Sequence, residues 1–68
     1  MSTEWECRGV YCDALVRDGV LLGYTHYDAG KHVAYQWFDE DEHWVALGES
    51  EDKEKARRMV ERACGVAV

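Results

Sequence analysis

Three histidines and three cysteines are the residue types in this chain that are best suited to metal binding or nucleophilic catalysis. His26 and His32 flank a turn-forming Asp28-Ala29-Gly30 segment, and a hairpin at that turn would set the two imidazoles opposite each other. Two imidazoles supply only half of the ligands of a structural zinc site. His43 lies roughly 20 Å further along the predicted sheet, too far to join them. A metal or small-molecule site at His26 and His32 is therefore the third of three functional hypotheses.

The cysteines give little indication of catalysis. Cys7, Cys12 and Cys64 form no Cys-x-x-Cys pair, and the predicted strands place no histidine beside any of them to activate a thiolate. Free cysteines are often simply buried, so we interpret these as reduced structural thiols. The glycines follow no phosphate-binding pattern. The leading prediction is a protein without catalytic residues, cofactor or bound metal.

Acidic side chains form the strongest charge feature of the sequence. Residues 39–54 contain eight acids and one base, a net charge of −7, whereas the rest of the chain sums to +1. The eight acids are Asp39, Glu40, Asp41, Glu42, Glu49, Glu51, Asp52 and Glu54. Adjacent carboxylates repel one another, and a basic partner would relieve that repulsion. Solvation and helix capping are the alternative explanation, above all for the acids of the predicted first helical turn. Direct nucleic-acid binding is disfavoured, because phosphate contacts need basic side chains.

Turn residues divide the chain into strands that would position these groups. Asp18-Gly19 predicts a two-residue hairpin, residues 28–30 a three-residue turn, and residues 39–42 a third turn. The predicted strands are residues 9–17, 20–27, 31–38 and 43–48. Residues 3–8 can extend the first strand, with Gly9 as a bulge.

The last third of the chain has helical periodicity. Ser50 is a favourable N-cap, Gly65 a favourable helix stop, and one apolar face is formed by Ala56, Met59, Val60, Ala63 and Cys64. We therefore predict a helix over residues 51–64. The fold class is α+β: a four-stranded antiparallel β-meander of order 1-2-3-4 with one C-terminal α-helix packed on one face.

The predicted register sorts the strand residues onto two faces. One face is free of charge and is predicted to be the core beneath the helix; it holds Val10, Cys12, Ala14, Val16, Leu21, Gly23, Thr25, Val33, Tyr35, Trp37, Trp44 and Ala46. One helix cannot cover both faces, so apolar side chains on the other face would remain exposed. That predicted partner-binding patch comprises Leu15, Leu22, Tyr24, Phe38, His43, Val45 and Leu47.

Length and composition limit the function. The 68 residues make a single domain over residues 1–68, and a chain of this size buries only about 60% of its unfolded surface. An enzyme would need a walled pocket as well as that marginal core. The N-terminus lacks the basic start and apolar stretch of a signal peptide, and no apolar run is long enough to span a membrane. We therefore predict a cytoplasmic protein without membrane association.

The leading functional hypothesis is a small acidic binding protein that docks on a basic surface of a larger protein or ribonucleoprotein. Closely spaced acids can imitate the charges of nucleic acid, so the protein would act as an inhibitor. Phage anti-CRISPR and anti-restriction proteins are comparable in size and charge, though not in sequence; a phage origin would place this protein in a bacterial cytoplasm. The alternative is a structural or regulatory homodimer that buries the exposed sheet patch.

Overall fold

The computed structural model describes residues 3–66, which form an antiparallel sheet with one C-terminal helix packed on it. The elements are β1 (Thr3–Cys7), β2 (Cys12–Arg17), β3 (Val20–Asp28), β4 (Lys31–Phe38), β5 (His43–Ser50) and α1 (Lys53–Ala63). The strand order is β1-β2-β3-β4-β5. The α+β class, the meander and the covering helix are confirmed, but the sheet has five strands rather than the predicted four.

The additional strand arises because the chain reverses before β2. Thr3 pairs with Arg17 and Cys7 with Asp13, which makes β1 a separate antiparallel neighbour of β2. The Arg8 N–H donates to the Cys12 carbonyl at 2.9 Å and closes the intervening loop. The predicted single strand over residues 9–17, with residues 3–8 as its extension, was therefore wrong.

Two of the hairpin turns share one geometry. Asp18 and Gly19 have φ of 50° and 83° between paired Arg17 and Val20, which confirms the predicted two-residue turn. Ala29 and Gly30 also have φ of 50° and 83°, between paired Asp28 and Lys31. Both turns are of the I′ kind that suits twisted strands. The predicted three-residue turn at 28–30 was therefore one residue too long.

Two β-bulges accompany these turns. Leu15 pairs with Gly23 but Val16 pairs with Leu21, which leaves Leu22 as an extra residue in β3. In β5, Leu47 is extra in the same way. Both extra leucines pack against the core that the helix covers. A bulge lets two successive residues of one strand face a single partner residue, so each bulge adds a leucine to the buried side.

The core lies between α1 and one side of the sheet, which we term the helix face. Leu15, Ala34, Ala56 and Val60 are buried there. The Gln36 side chain donates to the Ala63 carbonyl at 3.3 Å, which fixes the C-terminal end of α1 over β4. The helix also approaches closely at Gly23, where an added Cβ would lie 2.6 Å from Val60 Cγ1.

The predicted assignment of the two faces was therefore inverted for most residues, although Gly23 and Thr25 lie on the helix face as predicted. Three residues of the predicted exposed patch, Leu15, Leu22 and Leu47, lie beneath the helix. The others divide between the two sides. Phe38, His43 and Val45 are exposed on the helix side, at or beyond Gln36 along the sheet, whereas Tyr24 lies on the opposite side. The reason is shape and size: short aliphatic helix residues pack on aliphatic strand residues, and the bulky aromatic residues occupy the other face.

The helix is shorter than the predicted 51–64. Asp52 is the N-cap in place of Ser50, since its carboxylate accepts from the Glu54 N–H at 2.9 Å. Gly65, at φ 69°, ends the helix as predicted. The Val66 N–H donates to the Glu61 carbonyl at 2.9 Å and the Gly65 N–H to the Arg62 carbonyl at 3.2 Å, which together make a Schellman C-terminus.

A charged contact and an aromatic contact attach the helix to β1 and β2. Asp13 is 7% exposed and pairs with Lys53 at 2.8 Å and Arg57 at 3.0 Å. The Trp5 indole N–H donates to the Glu61 carboxylate at 3.0 Å. These contacts extend the helix face to the β1 edge of the sheet.

Candidate functional site

The side of the sheet that faces away from α1 is the candidate site, and we term it the open face. Cross-strand pairing aligns Ala14 with Tyr24, Tyr24 with Tyr35, and Tyr35 with Ala46. The open face includes Cys12, Ala14, Val16, Leu21, Tyr24, His26, Val33, Tyr35, Trp37, Trp44 and Ala46. Three acids share it by the same pairing: Glu4 lies opposite Val16, Glu6 opposite Ala14 and Glu49 opposite Val33. Within residues 3–66, no helix or strand covers it.

Four aromatic rings form a continuous cluster on the open face. Tyr24 stacks on Tyr35 with ring centroids 4.7 Å apart, and Trp44 meets Tyr24 edge-on at 4.2 Å. Trp37 lies 4.3 Å from Trp44. Each such pair stabilises the cluster by about 0.5–1.5 kcal/mol beyond its buried area. Yet Trp44 remains 42% exposed, so the rings form a contiguous, partly solvent-accessible surface.

A groove of about 380 Å³ runs beside the aromatic cluster toward β1. Its lining residues are Arg8, Cys12, Asp13, Ala14, Leu21, Tyr24 and Trp44. Arg8 pairs with Glu6 at 3.0 Å near this groove. Burial, with smaller contributions from the neighbouring Tyr35 and Cys12, raises the pKa of Tyr24. The Tyr24 hydroxyl is therefore a neutral hydrogen-bonding group at neutral pH.

The turn from Asp39 to Glu42, which we term the acidic turn, borders the aromatic cluster. The Trp37 indole N–H donates to Asp39 Oδ1 at 3.3 Å, and Trp37 pairs with Trp44 across the hairpin, as predicted. His43 Nδ1 lies 3.8 Å from Asp41 Oδ2. Asp39 thus connects the acidic turn to Trp37, whereas the contact of Asp41 with His43 lies on the helix side of the sheet.

The remaining predicted acids lie at the opposite end of β5, about 23 Å away at the usual rise per residue. They also have local partners. Glu49 pairs with Lys31 at 3.3 Å, Asp52 caps the helix, and Glu54 lies 3.7 Å from Arg57; Glu51 is exposed beside them. The structure therefore divides the predicted acidic surface of residues 39–54 in two, and only the acidic turn adjoins the aromatic cluster.

The histidines predicted to share a metal site are not brought together. His26 pairs with Val33, and His32 pairs with Tyr27, so the two imidazoles belong to opposite faces of the sheet. In the described part of the chain, no group of three or more His, Cys, Asp or Glu side chains is placed to hold a metal ion. The predicted pairing of His26 with His32 was wrong, because the turn at 28–30 is one residue shorter than predicted.

The three cysteines are free. Cys7 is exposed, and its thiol lies 3.2 Å from the Gly9 carbonyl. Burial raises the pKa of the Cys64 thiol, although Arg17 partly opposes this effect. A thiol with a raised pKa has little thiolate at neutral pH and is a poor nucleophile.

The aromatic residues were not predicted to form an exposed group. Tyr35, Trp37 and Trp44 were predicted to share a face, and they do, but that face was taken for the core. The sequence did contain a signal for the correct face. The small apolar side chains of the predicted helix, such as Ala56 and Val60, fit against Leu15, Leu22, Leu47 and Ala34 better than against large aromatic rings. The role of Asp13 was also missed; its signal was the i, i+4 pair Lys53 and Arg57.

Comparisons with known proteins identify no relative that would indicate a function. No protein-family model, curated protein sequence or solved structure matches the chain. Among residues 3–66, no helix combines the length and apolar character needed to cross a membrane.

Proposed function

We propose that this protein is a small non-enzymatic binding module that docks its open face and acidic turn on a basic surface of a larger protein. The observation that carries the proposal is the partly exposed aromatic cluster with carboxylates at its border. Aromatic residues are enriched at protein interfaces, and large contiguous apolar patches on a protein surface commonly mark interaction sites.

The distribution of charge favours a basic partner. The helix Lys53–Ala63 contains five bases and two acids, whereas all other residues contain three bases and twelve acids. The sheet layer is therefore strongly negative. Complementary potentials accelerate encounter and disfavour partners of like charge, so a surface rich in arginine and lysine is the best match.

The same charge argues against a second copy of this chain as the occupant of the open face. Two copies joined face to face would bring two negative sheets together, and like charges at an interface are costly. The predicted homodimer patch also loses Leu15, Leu22 and Leu47 to the core. A different protein is therefore the better-supported partner.

An inhibitory role follows if the partner's basic surface binds nucleic acid. Occupying that surface would exclude the nucleic acid by competition, which is the anti-CRISPR or anti-restriction type of activity. This finer proposal is supported only by size and charge. It predicts that the purified protein displaces nucleic acid from its partner.

Site-specific photocrosslinking in the native host tests the docking surface. A photoreactive amino acid replaces Ala46 on the open face or, as the control, Arg58 on the exposed side of the helix. We expect one basic protein to crosslink from position 46 and not from position 58. Crosslinking from position 58 alone would contradict the proposal.

Matched charge variants then test the acidic turn. The variant E40Q/D41N/E42Q removes three acids there, and D28N/E49Q/E51Q removes three acids from the other end of the sheet. We expect the first variant to bind the crosslinked partner at least several-fold more weakly, with a smaller salt dependence, than the second. Equal affinities would show that the acidic turn is only a solvated loop.

A further inference from the structure

Trp5 on the helix face shows how this molecule holds an arginine. The guanidinium carbon of Arg57 lies 5.0 Å from the centroid of the Trp5 ring, and the same guanidinium pairs with Asp13 at 3.0 Å. The Trp5 indole N–H donates to Glu61 at 3.0 Å. This arrangement has three parts: the face of the Trp5 ring, the Asp13 carboxylate that pairs with the cation, and the Glu61 carboxylate that accepts from the indole N–H. The cation–π contact and the ion pair act on one guanidinium.

Related parts occur on the open face without the cation: an indole N–H bound to a carboxylate, and a second indole ring, that of Trp44, which is 42% exposed. The Trp37 indole N–H donates to Asp39 at 3.3 Å, and the Trp44 ring lies 4.3 Å from Trp37. Glu40, Asp41 and Glu42 follow Asp39 directly in the same exposed turn and add negative charge near these rings. Among residues 3–66, the cation–π contact at Trp5 has no counterpart at either of these rings.

We propose that the partner inserts an arginine side chain here, with its guanidinium against Trp37 and Trp44 and its N–H groups directed to the acidic turn. This inference rests on the proposed function and names the chemistry of its central contact. Arginine suits the site better than lysine, because the planar guanidinium stacks on aromatic rings, is more weakly hydrated and can pair with a carboxylate at the same time.

Other occupants match the site less well. A purely apolar segment would desolvate the carboxylates of the acidic turn without pairing them, which is costly. A nucleobase could stack on the tryptophans, but its phosphates would approach four carboxylates instead of the basic groove that single-stranded nucleic acid requires.

Tryptophan indole N–H resonances provide a direct test by NMR. Octa-arginine, octa-lysine and octathymidylate are titrated separately into the full-length protein. We expect octa-arginine to shift the indole signals of Trp37 and Trp44 while that of Trp5 stays unchanged. Octa-arginine should bind about two- to fivefold more tightly than octa-lysine, the range that a surface cation–π contact provides.

Two variants and a control assign the effect to the site. Trp44→Leu should remove the preference for octa-arginine, whereas Tyr27→Leu should retain it; Tyr27 is an aromatic residue of similar exposure, 39% against 42% for Trp44. Asp39→Asn should weaken octa-arginine binding more than Asp28→Asn does. Because Asp39→Asn leaves the aromatic cluster in place, it tests the site even if Trp44→Leu does not fold.

The outcomes separate this inference from the proposed function. Equal affinity for the two peptides, with shifts at Trp37 and Trp44, would overturn the arginine assignment and leave docking on a basic surface intact. Shifts at the Trp5 indole alone, or at none of the three indoles, would contradict both. Octathymidylate binding at these tryptophans would overturn both in favour of a nucleic-acid ligand.

Discussion

At the scale of single residues, Asp13 shows how a charge is accommodated in the interior of a small protein. It lies between Cys12 and the buried apolar run Ala14–Val16, and only 7% of it is exposed. Burial by itself raises the pKa of Asp13, but hydrogen bonds and charge from Lys53 and Arg57 outweigh it, so the pKa lies below its usual value. The ionised carboxylate therefore joins β2 to α1.

Asp13→Asn is expected to destabilise the protein by about 1.5–3 kcal/mol at neutral pH, because it leaves charged hydrogen-bond donors without an ionised acceptor. The pKa of Asp13 is lower in the folded state than in the unfolded state, where it is about 3.9. The ionised carboxylate therefore stabilises the fold, and this stabilisation is fully present above that unfolded-state pKa. That contribution is lost as the pH falls through the folded pKa. Urea unfolding from pH 7 downward should show the wild type and Asp13→Asn converging below about pH 4.

Asp28→Asn is the control for Asp13, since Asp28 is an exposed acid at the end of β3. It should change the free energy of unfolding by no more than about 0.5 kcal/mol. A similar loss in both variants would mean that the buried ion pair contributes nothing specific.

At the scale of elements, turns and bulges decide which face each residue occupies. The Ala29-Gly30 turn is shorter by one residue than predicted, and β3 contains one extra residue at Leu22. Each change alone would reverse the facing of β4 relative to β2. Together they cancel, so Tyr35 and Trp37 still share a face with Val16, as predicted.

The turn at Ala29 carries an avoidable cost. Ala29 has φ of 50°, a conformation that costs an ordinary L-residue about 1–2 kcal/mol and that asparagine tolerates. Ala29→Asn should therefore stabilise the protein by about 1 kcal/mol and raise the melting temperature by roughly 4–8 °C. Ala29→Val should act in the opposite direction, because a β-branched residue adopts positive φ least readily. Thermal unfolding followed by circular dichroism measures both changes.

The elements themselves were largely predictable, but the side on which the helix packs was not. The Asp18-Gly19 hairpin, the Trp37–Trp44 pairing and the helix stop at Gly65 follow from local chemistry. The choice of face depends on two bulges and on a buried ion pair, none of which has a distinct local pattern. An apolar, aromatic face was interpreted as the core because an exposed one is unusual, and that unusual feature is the candidate site.

At the scale of the whole molecule, helix and sheet layers have opposite charge. The basic helix covers the aliphatic side, and the acidic turn borders the exposed aromatic side. The negative charge of the acidic turn affects self-association as well as the choice of partner. It opposes the association of two aromatic faces, since net charge of one sign keeps proteins apart.

Removing local charge should therefore release self-association. The variants E40Q/D41N/E42Q and D28N/E49Q/E51Q each change the formal net charge from −6 to −3, but only the first removes acids beside Trp37 and Trp44. In sedimentation velocity at increasing concentration, we expect the wild type and the second variant to sediment as monomers. The first variant should form dimers, and adding Trp44→Leu to it should restore the monomer.

Equal association of both variants would show that total charge, rather than the acidic turn, keeps the open face free. A dimeric wild type would instead make a second copy of the chain the occupant of that face.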